Sequence, residues 1–175
     1  DGVVDGACYN AGQSCCAVER AYVHASLYDR FVEAALVLMK QYKLGDPTDE
    51  AVNLGPMAQP WHPAFLEKQI DQARDRGARV LLGGKRTDAS GRGRFFEPTL
   101  LTDCAPSLDV MRVETFGPVL PIVKVGSDEE ALALINDSEL GLTASIYTRD
   151  HERAARMAAE LEVGTVYMNQ CDTLD

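Results

Sequence analysis

Between Val119 and Met168 the apolar spacing switches repeatedly between that of a strand and that of a helix, and this alternation restricts the architecture more than any other feature. Val119 to Val125 reads as a strand. Ser127, with Glu130 three residues on, is the reciprocal capping-box pattern, so a helix is predicted to start there and to carry Leu132 and Ile135 inward. Thr143 to Thr148 reads as the next strand. Asp150 is the N-cap candidate of a second helix whose Ala154, Met157, Ala158 and Leu161 share one face, and Gly164 precedes a last strand, Thr165 to Met168. Strands that alternate with helices of about ten residues need crossover connections. The expected class is therefore α/β, with a mostly parallel sheet covered by helices on both faces.

Upstream the pattern is sparser. From Tyr28, the residues Phe31, Ala35, Leu38, Met39 and Tyr42 recur at helical spacing, and Gly45 and Pro47 end the run. A further helix is predicted from about Ala64, with Leu66, Ile70 and Ala73 on one face and Gly77 as a left-handed cap. Val80 to Leu82 reads as a strand, the polar segment Gly84 to Gly93 as a surface loop or hairpin connection, and Phe95 to Leu101 as extended chain. No linker, repeat or low-complexity tract divides residues 1–175, so a single domain is expected.

Composition narrows the function. The chain carries 17 Lys and Arg against 27 Asp and Glu, a formal charge of −10, which disfavours nucleic-acid and anionic-membrane partners. No apolar run approaches the roughly 18 residues of a membrane span. The 5 cysteines are an odd number and two of them, Cys15 and Cys16, are neighbours, so a disulfide framework is not expected and a reducing compartment, the cytoplasm, is. There is no CxxC or HxxxH pair, and no metal site is expected. Gly91-Arg92-Gly93-Arg94-Phe95-Phe96 partly matches a dinucleotide fingerprint, but it lacks the third glycine and opens no helix, so it is set aside.

Two stretches carry candidate chemistry. Asn10-Ala11-Gly12-Gln13-Ser14-Cys15-Cys16 is a small polar turn that delivers two thiols at the expected start of a short helix. A thiol attacks as its thiolate, and amide donors at a helix N-terminus stabilise negative charge, so either Cys15 or Cys16 is a candidate nucleophile. Cysteine is also among the most buried residue types, and most buried cysteines are inert core hydrophobes. Glu114-Thr115-Phe116-Gly117-Pro118 precedes the Val119 strand. Its carboxylate suits ribose hydroxyls and its ring a cofactor slot, the bland counterpart being a solvated turn Glu beside a packing Phe.

Asn10 to Cys15 matches the N-x-G-Q-x-C signature of the aldehyde dehydrogenase superfamily, and Glu114 to Pro118 resembles its E-x-F-G-P motif. Leu44-Gly45-Asp46-Pro47, Leu54-Gly55-Pro56, Gly141-Leu142-Thr143-Ala144 and Gly164-Thr165-Val166-Tyr167-Met168-Asn169 follow the family's order across nearly the whole chain. The resemblance implies Cys15 as nucleophile, with Cys16 a neighbour. It implies Glu114 as the ribose-contacting carboxylate and Phe116 as a nicotinamide-side contact, with NAD or NADP as cofactor and a small-molecule aldehyde as substrate. The implied chemistry is thiolate addition, a thiohemiacetal, a thioester and hydrolysis. Similar enzymes carry the hydrolytic base in an E-L-G-G-K segment ahead of the nucleophile, a Rossmann-type cofactor domain ahead of that, and a C-terminal segment that builds homo-oligomers. This chain, which opens at Asp1 and closes at Asp175, is expected to be the excised catalytic domain, inactive alone. Two competing readings are a non-catalytic binding or assembly module, and a cysteine hydrolase pairing Cys15 with His24, His62 or His151.

Overall fold

The computed structural model describes residues 1–88 and 93–171. Six helices and eight strands run in the order α1 (Gly2–Cys8), β1 (Ala21–His24), α2 (Tyr28–Met39), α3 (His62–Asp75), β2 (Arg79–Leu82), β3 (Arg86–Thr87), β4 (Phe95–Phe96), β5 (Thr99–Thr102), α4 (Asp109–Arg112), β6 (Val119–Val125), α5 (Asp128–Asn136), β7 (Thr143–Ile146), α6 (His151–Glu160) and β8 (Thr165–Met168) among those residues. The class is α/β and the pairing mostly parallel. β1, β6, β5 and β2 form one sheet in that order, in which β1 with β6 and β6 with β5 are parallel and only β2 with β5 is antiparallel.

The predicted strand–helix alternation is present from β6 to β8, but it does not build one continuous sheet. β7 pairs in parallel with β8 as a two-stranded unit, whereas β6 lies between β1 and β5. Strand β1 is the element that periodicity missed. Four residues with alternating burial are too short to stand out, yet Ala21 to His24 pair in register with Ile122 to Val125.

Local signals explain most element ends. In α3, Pro63 sits in the first turn, where its missing N–H costs nothing. At the other end Ala78 N–H reaches Ala73 O at 2.9 Å and Gly77 N–H reaches Arg74 O at 3.1 Å, the Schellman pattern, with Gly77 at φ +99° as predicted. The α3 start at His62 is two residues earlier than expected, and α2 ends at Met39, well before Gly45. Ser127 Oγ accepts Glu130 N–H at 3.2 Å, but the Glu130 carboxylate takes Gly126 N–H at 2.6 Å rather than that of Ser127, so the box closes one residue upstream. Asp150 caps α6 through Arg153 N–H at 2.9 Å, and Arg153 and Asp128 pair across to α5. The polar segment after Gly84 is a hairpin connection, since β3 and β4 pair antiparallel; its residues 89–92, including the first two residues of the partial fingerprint, lie outside the described residues.

The core is continuous from α1 through the four-stranded sheet to α3, with Met39, Leu66, Ile70, Phe96, Leu100, Leu101, Leu120 and Ile122 fully buried. Within it, Gln69 on α3 is 3% exposed, and neither its amide nitrogen nor its carbonyl oxygen has a hydrogen-bond partner among the described residues. A buried unmade hydrogen bond costs about 1–3 kcal/mol. Gln69→Met keeps the volume and removes both polar atoms, so the expected result is a gain of about 1 kcal/mol or more in denaturant unfolding. An equal or larger loss would mean that the amide is satisfied.

Candidate active site

The two candidate segments meet because of strand topology. Residues 13–20 lead into β1 and residues 114–118 into β6, and these strands are parallel neighbours with Ala21 opposite Ile122. Both loops therefore stand at the N-terminal ends of adjacent strands. Ligands of open parallel sheets usually gather at the opposite, carboxyl ends. What brings the site together here is a direct contact between two backbones.

The cysteine turn is wound left-handed. Asn10, Ala11 and Gly12 follow one another at φ +50°, +56° and +68°, a conformation that costs a side-chain-bearing residue about 1–2 kcal/mol. The motif's own side chains hold it. Asn10 Nδ2 donates to Gln13 O at 2.9 Å, and Gln13 Nε2 donates to Asn10 O at 3.1 Å and to Pro56 O at 3.3 Å. Gln13 Oε1 accepts Ala58 N–H at 2.7 Å. The Gln thus ties the turn to the Leu54-Gly55-Pro56 segment. Gly12 is obligatory, since a Cβ there would stand 2.1 Å from Gly117 O and 2.9 Å from Pro118 N.

Past this turn the chain does not enter a helix. Ser14 to Ala17 form a single turn, closed by Ala17 N–H on Ser14 O at 3.1 Å, and the strand β1 follows. The expected helix N-terminus behind the thiols is therefore absent, and with it that source of positive potential, because the chain must run straight into the sheet. The two thiols differ in exposure. Cys16 is buried with its Sγ 3.3 Å from Ser14 Oγ, whereas Cys15 is exposed. Among the described residues no hydrogen bond takes up the Cys15 backbone N–H. Cys8 and Cys104 are inert by comparison: burial, reinforced by Asp5 and Asp103 respectively, pushes each thiol up to about 12.

Glu114 is exposed, Thr115 buried, and Phe116 half-buried at φ +51°. All four backbone polar groups of Thr115 and Phe116 are held by two side chains that sequence reasoning had not placed there. Glu19 Oε2 and Oε1 accept the N–H of Thr115 and of Phe116, each at 2.9 Å. His62 Nε2 lies 3.0 Å from both Thr115 O and Phe116 O, which assigns its proton to Nε2. Desolvation raises the Glu19 carboxyl above its ordinary value, while the two amides and Arg20 pull it back. The only sign of Glu19 in the sequence is a carboxylate between apolar residues and a strand.

In the competing hydrolase reading His62 is a partner of Cys15, yet it sits at the start of α3. Its ring nitrogen is committed to carbonyls instead, and His24 is occupied by Ser26 and Gly126 O. No hydrogen bond joins Cys15 to a histidine among the described residues, so the hydrolase pairing is not formed. Cavities of about 360 Å³ beside α1 and about 190 Å³ beneath α6 are not lined by Cys15. Among the described residues no group of three or more His, Cys, Asp or Glu is arranged to hold a metal ion, and no helix is long and apolar enough to cross a membrane.

The sequence profile of the aldehyde dehydrogenase family matches residues 1–175. The chain is 38% identical over 163 residues to 3,6-anhydro-alpha-L-galactose dehydrogenase of Vibrio sp. (strain EJY3), covering 92% of this chain and 34% of that protein. It is 40% identical over 166 residues to the succinate semialdehyde dehydrogenase [NAD(P)+] Sad of Escherichia coli (strain K12), covering 95% and 36%. The crystal structure of betaine aldehyde dehydrogenase from Staphylococcus aureus in complex with NAD+ superposes with a TM-score of 0.94 at 35% identity, covering 99% of this chain and 35% of that one. A 3,6-anhydro-L-galactose dehydrogenase in complex with NAP gives 0.95 at 35% identity, covering 99% and 37%. The chain spans about a third of the length of the relatives it matches.

If the contact between the turns governs the local structure, Gly12→Ala should cost about 3 kcal/mol or more, the sum of steric overlap and left-handed strain. Gly77→Ala, at positive φ but with nothing within 4 Å of the new Cβ, should cost only about 1–2 kcal/mol. Equal losses in denaturant unfolding would mean that the Gly12 contact is slack.

Proposed function

The chain belongs to the aldehyde dehydrogenase family, and from that premise we propose that it supplies the cysteine-bearing catalytic domain of an NAD(P)-dependent enzyme oxidising a small aldehyde to its carboxylic acid. Cys15 is the nucleophile. The observation that carries the reading is the exposed Cys15 three residues past a strained left-handed turn that is braced by backbone contact against the Glu114–Pro118 loop. Strain of this kind persists where surrounding structure over-determines it, and it concentrates at functional sites.

Cys15 Sγ, as thiolate, adds to the aldehyde carbon, and the carbonyl π pair moves onto oxygen. The Cys15 N–H, which no hydrogen bond takes up among the described residues, is a donor for that developing oxyanion. NAD(P)+, when bound, supplies the hydride acceptor that takes the adduct to the thioester oxidation level. Water then attacks the thioester, one of its protons passes to a base, and the carboxylic acid and the Cys15 thiolate are released. The residues present fit one side of a nicotinamide dinucleotide. Glu114 is exposed and, among the described residues, forms no ion pair, which leaves two carboxylate oxygens free for the hydroxyls of a ribose. Phe116 offers a half-buried ring beside it. NAD and NADP are both compatible with these groups. The remaining parts of the proposal are a homo-oligomeric parent enzyme in the cytoplasm and the absence of turnover by residues 1–175 alone.

The test is acid quenching of the longer polypeptide during turnover with an aldehyde and NAD(P)+, followed by peptide mass spectrometry. An acyl adduct should appear on the peptide bearing Cys15 and vanish, together with more than about 99% of turnover, in Cys15→Ser, as for loss of a covalent nucleophile. An adduct on another residue, or unchanged turnover in Cys15→Ser, contradicts the reading.

A further inference from the structure

Building on the assignment of Cys15, Glu114 and Phe116 above, we propose that Glu19 and His62 are positioning residues, a two-sided clamp that fixes the Thr115–Phe116 backbone and thereby the placement of Glu114 and Phe116 against the dinucleotide. The geometry is complete on both sides. Glu19 accepts the two N–H groups at 2.9 Å, and His62 Nε2–H donates to the two carbonyls at 3.0 Å. Neither side chain is held by chance. Glu19 is part-buried four residues after the nucleophile, and the neighbouring Arg20 is anchored on Met111 O at 2.6 Å. His62 is buried at the start of α3, its ring 5.0 Å from that of Trp61 and 5.4 Å from that of Phe65.

The segment needs such a clamp. Phe116 holds φ +51°, and Gly117 leaves so little room that a Cβ there would stand 2.6 Å from Leu66. A phenylalanine has no intrinsic preference for the left-handed region, so releasing either side allows the peptide to relax toward extended backbone and to swing Phe116 and Glu114 away. Glu19 also comes from the same short segment as Cys15. One stretch of eight residues therefore presents the sulfur and sets the loop that faces the cofactor. A merely structural role would lower stability without a selective effect on cofactor binding.

The experiment uses the longer polypeptide with its cofactor-binding part, as wild type and as Glu19→Ala, Glu19→Gln, His62→Ala and His62→Gln. Two quantities are read: the Kd and KM for NAD(P)+, and the rate at which iodoacetamide labels Cys15 without cofactor. Glu19→Ala and His62→Ala should weaken NAD(P)+ about tenfold or more, the effect of losing a charge-assisted or shared hydrogen bond, with labelling changed less than about twofold. Glu19→Gln keeps one acceptor oxygen and should fall between. His62→Gln, whose amide reaches the same carbonyls, should recover most of the binding. If Glu19→Ala does not fold, Glu19→Gln against His62→Gln carries the comparison. NAD(P)+ affinity unchanged across the set, or affinity and labelling falling by one common factor, overturns the clamp. That outcome with Cys15→Ser still inactive removes the clamp alone, whereas an active Cys15→Ser removes the reading on which it rests.

Discussion

The approach of Gly12 to the Gly117 carbonyl, so close that a Cβ on residue 12 would stand 2.1 Å from that oxygen, is the constraint around which the site is arranged. Two loops at the ends of parallel strands would otherwise be separated by the width of their side chains. Removing the side chain at residue 12 lets main chain meet main chain. The motif glycine is therefore a packing requirement and a conformational one at once. The left-handed Asn10 and Ala11 follow from the same constraint, since the chain must leave α1, pass Gly117 and enter β1 within twelve residues.

The polar residues of the motif have separable tasks. Asn10 and Gln13 exchange hydrogen bonds across the turn, and Gln13 reaches the Pro56–Ala58 segment. Ser14 draws Cys16 inward, and the sulfur of Cys15 is left outside. Such a turn stores strain rather than stability, and the compensation lies in the surrounding core, where α3, β5 and β6 contribute fully buried side chains. The location at the N-terminal strand ends fits this division, because the turns that precede β1 and β6 can be bent freely while the strands stay in register.

Elements with strong local signals were legible in the sequence. Val119–Val125 and Thr165–Met168 have the predicted bounds, Asp150 and Ser127 cap the predicted helices, and Gly77 has the expected positive φ. Non-local features were not. The helix α1 carries two glycines in seven residues, and β1 is only four residues long, so neither shows a period. The sheet order could not be read because β6 is completed by β1 and β5, both from upstream segments. At the site, Cys15, Glu114 and Phe116 are candidates through the family resemblance, while the helix expected behind the thiols from the residues themselves is replaced by a single turn. Glu19 and His62 stayed hidden for another reason. Their partners are backbone groups some 96 and 53 residues away, and a backbone leaves no trace in a sequence pattern.

The account depends on one sulfur being presented while its neighbours are withheld. Cysteine-resolved alkylation under native conditions, followed over time by mass spectrometry, measures this directly. Cys15 should react first and approach stoichiometric labelling, with Cys8, Cys16 and Cys104 protected until the protein is unfolded. Labelling of Cys16 at the rate of Cys15, or a Cys15 as slow as Cys8, would contradict the left-handed turn and the chemistry assigned to it.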